Sequence, residues 1–540
     1  MNLAGRFLEL MAERGSRPAV REANGRVTTY AELRRQIIGF AAHLRSLGLS
    51  KGDPAVIQAP NGAAFAIATI AVASLGGVAV LAEPGLGDDV YVKRLHAAKP
   101  KWTIVHPAVL WANRIPSARA FLRRREVLVP PVLPDTTATR RVMISRRILE
   151  REAAASDATA EVTDVEADDD LTIIFTGGTT SMPKGVRLSH GSTFAAISNI
   201  AVVASETLGG SAARGTGRIE LRPRTMLADT PQQVLYGLVL GQEVLVTRGR
   251  MQRRAAMVRK LVEEGRTGAY FGSPFLWMEM MEQAGAKRSR LPPGLDAVFL
   301  GGAPVTREFL KTLRDWLHPD TKVTAIYGLT EAGPVAYATA EEKLAWTGEG
   351  DFIGWLMSGM DADRTPSGEI IISGPSLFLG YIGQEARAPG EGFPTGDLGA
   401  VVDIGGRKAL TLLGRAKDMI IRAGVNIYPS TLESDLRAIA DETGRRLLRE
   451  AALVGLWNEA AQDEVVVLAW QPMAGMTVDE AFLTRQVERI TGTAAGPDYM
   501  MRVDPMPVTG RQNKVDKATL RARAAERFGL AATPRGQSPQ

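Results

Sequence analysis

Apolar positions along this chain follow two rhythms. In "TYAELRRQIIGFAAHLRSLG", Leu33, Ile37, Phe40, Ala41 and Leu44 recur at helical spacing, which predicts an amphipathic helix. Short apolar runs ("PAVIQA", "VAVLA", "WTIVH", "TIIFT", "TMLAD", "AYFGS", "AVFLG" and "KVTAIYG") read as buried strands. Helical stretches such as "QRRAAMVRKLVEEG" and "TREFLKTLRDWLH" lie between some of them. Such alternation predicts an α/β fold with parallel sheets flanked by helices. From about residue 366 the texture changes to short strands broken by glycine, "GEIIISG", "GYIG", "LGAVVDIGG" and "ALTLLG", which read as a small antiparallel sheet. After Gly414 a compact segment reads as a separate α+β unit, and "GLAATPRGQSPQ" reads as a frayed tail.

One stretch needs a membrane check. Ala63 to Ala82 is 20 residues without a charge, long enough to span a bilayer. Gly76-Gly77 divides it, so it reads as an alanine-rich buried helix feeding a buried strand. No transmembrane segment is therefore expected, which leaves only peripheral membrane contact open. The N-terminus shows no charged region followed by an apolar run and a small-residue cleavage site.

The 540 residues imply several structural units. A net charge of +6 is mild, and among the arginines between Arg114 and Arg147 only one aromatic residue, Phe121, is interleaved. They read as a solvated rim, and no nucleic-acid partner is expected. There is no cysteine, which removes disulfides, thiolate metal sites and a cysteine nucleophile, and fits a cytoplasmic location. The five histidines have no metal-like spacing and read as packing or surface residues.

The chemistry concentrates in "IIFTGGTTSMPKGV". Glycines let backbone N–H groups approach an anion, Thr176, Thr179, Thr180 and Ser181 offer hydroxyls, and Lys184 supplies charge. Pro183 precedes the lysine and "VRLSH" continues as strand, so this is no helix-opening phosphate loop but a strand–strand connection. The same residues also suit a plain hairpin turn. "AIYGLTEAGP" puts Tyr327, Thr330 and Glu331 just past a strand end, where ligands sit in parallel sheets. Glu331 suits Mg²⁺, Asp397 in "FPTGDLG" suits a ribose diol, and Arg415 suits a sugar or phosphate.

In this order, "FTGGTTSMPKGV", "YGLTEAG", "TGDLG", "GRAKD" and a late "NKVDK" resemble the AMP-forming adenylation superfamily, over nearly the whole chain. The "GVNIYPSTLE" form is most similar to fatty and aryl acyl-CoA ligases. The resemblance implies an N-terminal adenylation domain over 1–413 that includes a small β-barrel-like subdomain, a hinge at 414–417, a mobile α+β domain over 418–525 and a flexible tail at 526–540. It implies that Thr176, Gly177, Gly178, Thr179, Thr180, Ser181 and Lys184 embrace the β- and γ-phosphates of ATP. Gly302, Ala303 and Pro304 would lie along the adenine, with Tyr327 on its ring. Thr330 would touch the α-phosphate, Glu331 would hold Mg²⁺, and Asp397 and Arg415 would grip the ribose. Lys514 would be brought to the α-phosphate, and Gly424 would line a thiol channel for CoA. The implied activity converts a hydrophobic, fatty-type carboxylic acid to acyl-AMP with release of pyrophosphate, then to acyl-CoA.

The chain departs from the family at Gly177, Gly178 and Ser181, where one hydroxyl is lost and one gained. "TPQQVLYGL" lacks a histidine often seen before the acyl pocket, with Gln232 or Gln233 near that place. The apolar stretches Thr193 to Val203 and Phe271 to Met280 suit either pocket walls or helix core. "YFGSP", "GGAPV" and Arg511-Gln512-Asn513 resemble olefin β-lactone synthetases, which keeps ring closure of a long β-hydroxy acid as an alternative second step. Loading of an acyl-carrier protein is a third. A nucleotide-binding scaffold without activity fits less well, because Lys184, Glu331, Asp397, Arg415 and Lys514 are all present.

Overall fold

The computed structural model describes residues 2–82, 88–115, 131–132, 139–155, 161–175, 184–212, 219–221, 224–228, 230–247, 251–285, 289–509 and 514–531. The short apolar runs form strands of two large sheets. The seven-stranded sheet runs, edge to edge, Gly380–Tyr381, Gly185–Ser189, Asp170–Phe175, Val78–Leu81, Pro54–Gln58, Trp102–Val105 and Arg140–Met143. Its last five strands are mutually parallel, and Asp170–Phe175 pairs antiparallel with Gly185–Ser189. The uncharged stretch separates as expected into the buried helix Ala63–Ser74 and the strand Val78–Leu81. Among the described residues no helix is long and apolar enough to cross a membrane.

The second sheet has thirteen strands. Its parallel part includes Glu243–Val246, Thr225–Ala228, Ala269–Gly272, Ala297–Gly301 and Lys322–Leu329. Beyond Lys322–Leu329 every pairing is antiparallel: Gly333–Thr339, Asp351–Leu356, Arg407–Arg415, Phe393–Ile404, Glu369–Ser373 and Asp361–Arg364. The glycine-broken strands are thus antiparallel, as their texture predicts, but three of them continue this large sheet and the fourth, Gly380–Tyr381, edges the seven-stranded one, so they do not form a small sheet of their own. Gly399 shows why glycine is needed there. A Cβ at Gly399 would lie 2.0 Å from the Thr411 carbonyl oxygen, at the point where the register between these two strands shifts.

The C-terminal part of the chain builds around a three-stranded sheet of Leu448–Asn458, Asp463–Pro472 and Tyr499–Arg502. Alternate strand residues face opposite sides. Leu453, Val466 and Leu468 pack with Leu436, Leu483 and Val487, while Val454, Val467 and Ala469 pack with Leu520 and Ala524. Arg449 of this unit reaches Glu282 of the large one at 3.5 Å, with both side chains largely in solvent. Burial raises the Glu308 carboxyl above its ordinary value, with Arg446 and Arg437 of the C-terminal unit opposing that rise.

Of the histidines, His190 is fully buried, and its Nδ1 accepts the Leu3 N–H at 3.1 Å, a packing role.

Candidate active site

The site lies at the antiparallel turn of the large sheet. Strands Phe393–Ile404 and Arg407–Arg415 pair so that Asp397 sits opposite Arg415. Arg415 Nε lies 2.7 Å from Asp397 Oδ1, and its Nη1 donates to the Thr395 carbonyl at 3.3 Å. The Asp397 N–H donates to Thr395 Oγ1 at 3.1 Å. Tyr327, near the end of Lys322–Leu329, donates its hydroxyl to Asp397 Oδ2 at 2.6 Å. Only 3% of Asp397 is exposed.

Burial raises the Asp397 carboxyl above its ordinary value; the charge of Arg415 and the Tyr327 hydrogen bond oppose this. Tyr327 is pushed up, first by burial and then by the Asp397 charge, so its hydroxyl stays a donor. Each carboxylate oxygen has two acceptor positions and uses one here. Asp397 therefore keeps an acceptor position on each oxygen beyond the Arg415 and Tyr327 contacts.

Lys514 comes to this group from the C-terminal unit, in the short strand pair Val508–Thr509 and Lys514–Val515. Its ammonium is lowered below the ordinary lysine value, first by desolvation, then by Arg415 and Lys417; Asp397 works the other way. The side chain as a whole remains exposed, so the crowding is local to its charged end.

Glu331 and Thr330 occupy the turn between Lys322–Leu329 and Gly333–Thr339. One Glu331 oxygen accepts the Tyr381 hydroxyl at 2.9 Å, and the Glu331 carbonyl accepts the Phe378 N–H at 2.7 Å. Lys184 Nζ stands 5.4 Å from the centroid of the Tyr381 ring. Burial, then the Glu331 charge, raise the Tyr381 phenol above its ordinary value. Gly302, Ala303 and Pro304 leave the end of Ala297–Gly301, where Gly301 pairs with Ile326, one residue before Tyr327.

Thr176, Gly177, Gly178, Thr179, Thr180 and Ser181 lie outside the described residues. The ends of that stretch are described: Phe175 pairs with Gly185, so it joins antiparallel strands, as expected. Gly424 is not gathered with the rest. It shares a two-residue hairpin turn with Ala423, at φ 76° and 50°, tied to Asp463, Gly496 and Asp498 of its own unit.

The suggested pocket walls divide. Ile200 and Val203 belong to an apolar cluster that Phe271 and Tyr327 pack against. Trp277 and Met280, by contrast, are fully buried in another core, where Trp277 meets Tyr270 and Trp316 edge-on. Gln233 is spent on a capping box, accepting from the Thr230 N–H at 2.9 Å. The sequence reading missed Tyr381, taking "GYIG" only as strand, and missed Thr395; neither carries a charge to draw attention.

Among the described residues no group of three acidic or histidine side chains is placed to hold a metal ion. A single carboxylate such as Glu331 fits Mg²⁺, which commonly uses one or two carboxylates with substrate phosphates and water completing its shell.

The structure thus gathers a buried carboxylate pinned by an arginine and a tyrosine, with a lysine from the C-terminal part of the chain beside them. The chain belongs to the AMP-binding enzyme family, whose model matches residues 7–382. It is 25% identical to the mitochondrial medium-chain acyl-CoA ligase of Macaca fascicularis over 520 residues, covering 85% of this chain and 77% of that one. It is 27% identical to feruloyl-CoA synthase of an Amycolatopsis species, covering 92% of this chain and 94% of that one. The fold matches ATP-bound MatB from Rhodopseudomonas palustris with a TM-score of 0.75 at 20% identity, covering 98% and 99% of the two chains. This chain is an AMP-forming ligase.

Proposed function

We propose that the protein activates a hydrophobic, fatty-type carboxylic acid with ATP and passes the acyl group to CoA. The observation that carries this reading is the Asp397–Arg415–Tyr327 group with Lys514 beside it. Asp397 and Arg415 bind the ribose, and Tyr327 lies against the base. The substrate carboxylate oxygen attacks the α-phosphorus, the bond to the β-phosphate oxygen breaks, and pyrophosphate leaves. Lys514 stabilises the charge that grows on the α-phosphate, aided by Thr330. Lys184 and the loop from Thr176 to Ser181 hold the departing phosphates, with Gly302, Ala303 and Pro304 along the adenine. Bound Mg²⁺, held by Glu331, would neutralise phosphate charge. In the second step the CoA thiol, having lost its proton, attacks the acyl carbon and AMP leaves, with Gly424 lining the thiol path.

The same reading divides the chain into an adenylation domain over 1–413, a hinge at 414–417, and a C-terminal domain over 418–525 that moves between the two steps. The apolar cluster of Ile200, Val203 and Phe271 beside Tyr327 favours a hydrophobic acid. The relatives named for medium-chain acyl and feruloyl thioesters agree with an apolar acyl or aryl group.

The test is mass spectrometry of products from fatty, 3-hydroxy-fatty and aryl acids with ATP and Mg²⁺, with and without CoA. A thioester that appears only with CoA is the expected result. A β-lactone formed without CoA, or acyl-AMP that only a carrier protein consumes, would replace the second step. No pyrophosphate release with any acid would remove the whole reading.

A further inference from the structure

We infer that Tyr381 is a positioning residue for adenylation, which holds the Glu331 carboxylate and the Lys184 ammonium in place while keeping them from pairing with each other. The inference rests on the adenylating reading above. Three separate pieces of chain meet at this tyrosine. The short strand Gly380–Tyr381 pairs with Val186 and Arg187, on the strand that leaves Lys184. The Ile382 N–H donates to the Gly185 carbonyl at 2.8 Å and the Leu379 N–H to the Arg187 carbonyl at 2.9 Å. The Phe378 N–H fixes the Glu331 turn through its carbonyl. Tyr381 is thus tied by backbone to both partners of its side chain.

The ring has little freedom. Phe378 meets it edge-on at 4.9 Å and meets Phe393 at 5.0 Å, with Arg387 over both phenylalanines. From this position the hydroxyl takes one Glu331 oxygen and the ring attracts Lys184. An aromatic face attracts a cation without cancelling its charge, and a phenol hydrogen bond leaves a carboxylate its charge. A direct Lys184–Glu331 pair would neutralise both groups, leaving less charge for the phosphates and for the metal ion. Tyr381 therefore preserves two opposite charges at close quarters.

The test is isothermal titration of ATP into the full-length protein, with Mg²⁺ and with EDTA, for wild type, Tyr381→Phe and Tyr381→Leu. Tyr381→Phe keeps the ring. It should cut the Mg²⁺-dependent gain in ATP affinity roughly ten-fold, the effect of one hydrogen bond to a charged group, with a smaller loss of Mg²⁺-free binding as Glu331 is freed toward Lys184. Tyr381→Leu should in addition weaken Mg²⁺-free binding roughly three-fold, through loss of the ring beneath Lys184. If Tyr381→Phe keeps the wild-type Mg²⁺ gain, the inference is wrong while the adenylating reading stands. Equal Mg²⁺-free affinities for the Phe and Leu variants would also overturn it. Wild type that binds no ATP with Mg²⁺ removes both.

Discussion

Tyr327 donates its hydroxyl to Asp397 across 70 residues of sequence, at 2.6 Å, and so joins the parallel half of the large sheet to its antiparallel half. In the proposed mechanism the bond offers the nucleotide an aromatic ring and a carboxylate already set at a fixed separation. Neither residue has to be ordered when the ligand arrives.

Asp397→Ala removes the shared acceptor and leaves Arg415 without its carboxylate partner. Losing a hydrogen bond to a charged group costs about 1.5–3 kcal/mol, so kcat/KM for ATP should fall roughly ten- to hundred-fold in a pyrophosphate-release assay. Tyr327→Phe should show a smaller loss of the same kind.

Lys514→Ala should slow acyl-adenylate formation roughly 10²–10³-fold, the usual effect of deleting one transition-state donor, with ATP binding much less affected. The wild-type rate carries a pH signature of its own. In the proposed mechanism the working form of Lys514 is the cation, and its pKa lies below the ordinary 10.5. The alkaline limb of the adenylation rate should therefore fall below pH 10.5. Asp397 raises the Lys514 pKa, so Asp397→Asn should move the limb to still lower pH. An alkaline limb that stays put in Lys514→Arg would exclude Lys514 as its source.

His190 makes stability depend on acid. Burial lowers its pKa from 6.5 to about 4, and its neutral Nδ1 accepts the Leu3 N–H. Between these values the unfolded chain binds the proton and the folded one does not, so stability is full above pH 6.5 and declines as pH falls toward 4. The decline amounts to about 3 kcal/mol at 1.36 kcal/mol per pKa unit. Urea titrations from about pH 7 to about pH 4 should show it, and His190→Gln should flatten the curve across that window.

Gly399→Val would drive a side chain into the Thr411 carbonyl, beside the strand that carries Asp397. A loss of more than about 2 kcal/mol is expected, on the scale of overpacking a tight site. It should be read as a lower Tm together with weaker ATP binding. Gly444→Ala, where a Cβ meets no atom within 4 Å, is the control for backbone strain alone at a left-handed turn.

Much of this architecture was legible because it is local. Helical and strand periodicities marked the parallel strands, and Pro183 with the strand-like run after it excluded a helix-opening loop. Asp397, Arg415 and Lys514 stood out by charge within short motifs. What was hidden depends on contacts distant in sequence. Nothing near Tyr381 announces its bond to Glu331, and nothing in "LGAVVDIGG" shows that these strands extend the large sheet. For Phe271 to Met280, apolar content could not separate the two cores the stretch joins: Phe271 packs against the cluster that Tyr327 also meets, and Trp277 and Met280 lie in the other. Gly424 matched its motif, but the Asp463 contact that fixes its hairpin lies 40 residues away and has no local signal.

The ion pair between Arg449 and Glu282 spans the two bodies of the protein with both side chains largely in solvent. Such pairs contribute little, roughly 0–1 kcal/mol, because water solvates the parted charges almost as well. Here the fastening is soluble at both ends. Dissolved salt alone should weaken it, which makes this one contact between the two parts of the chain tunable by ionic strength.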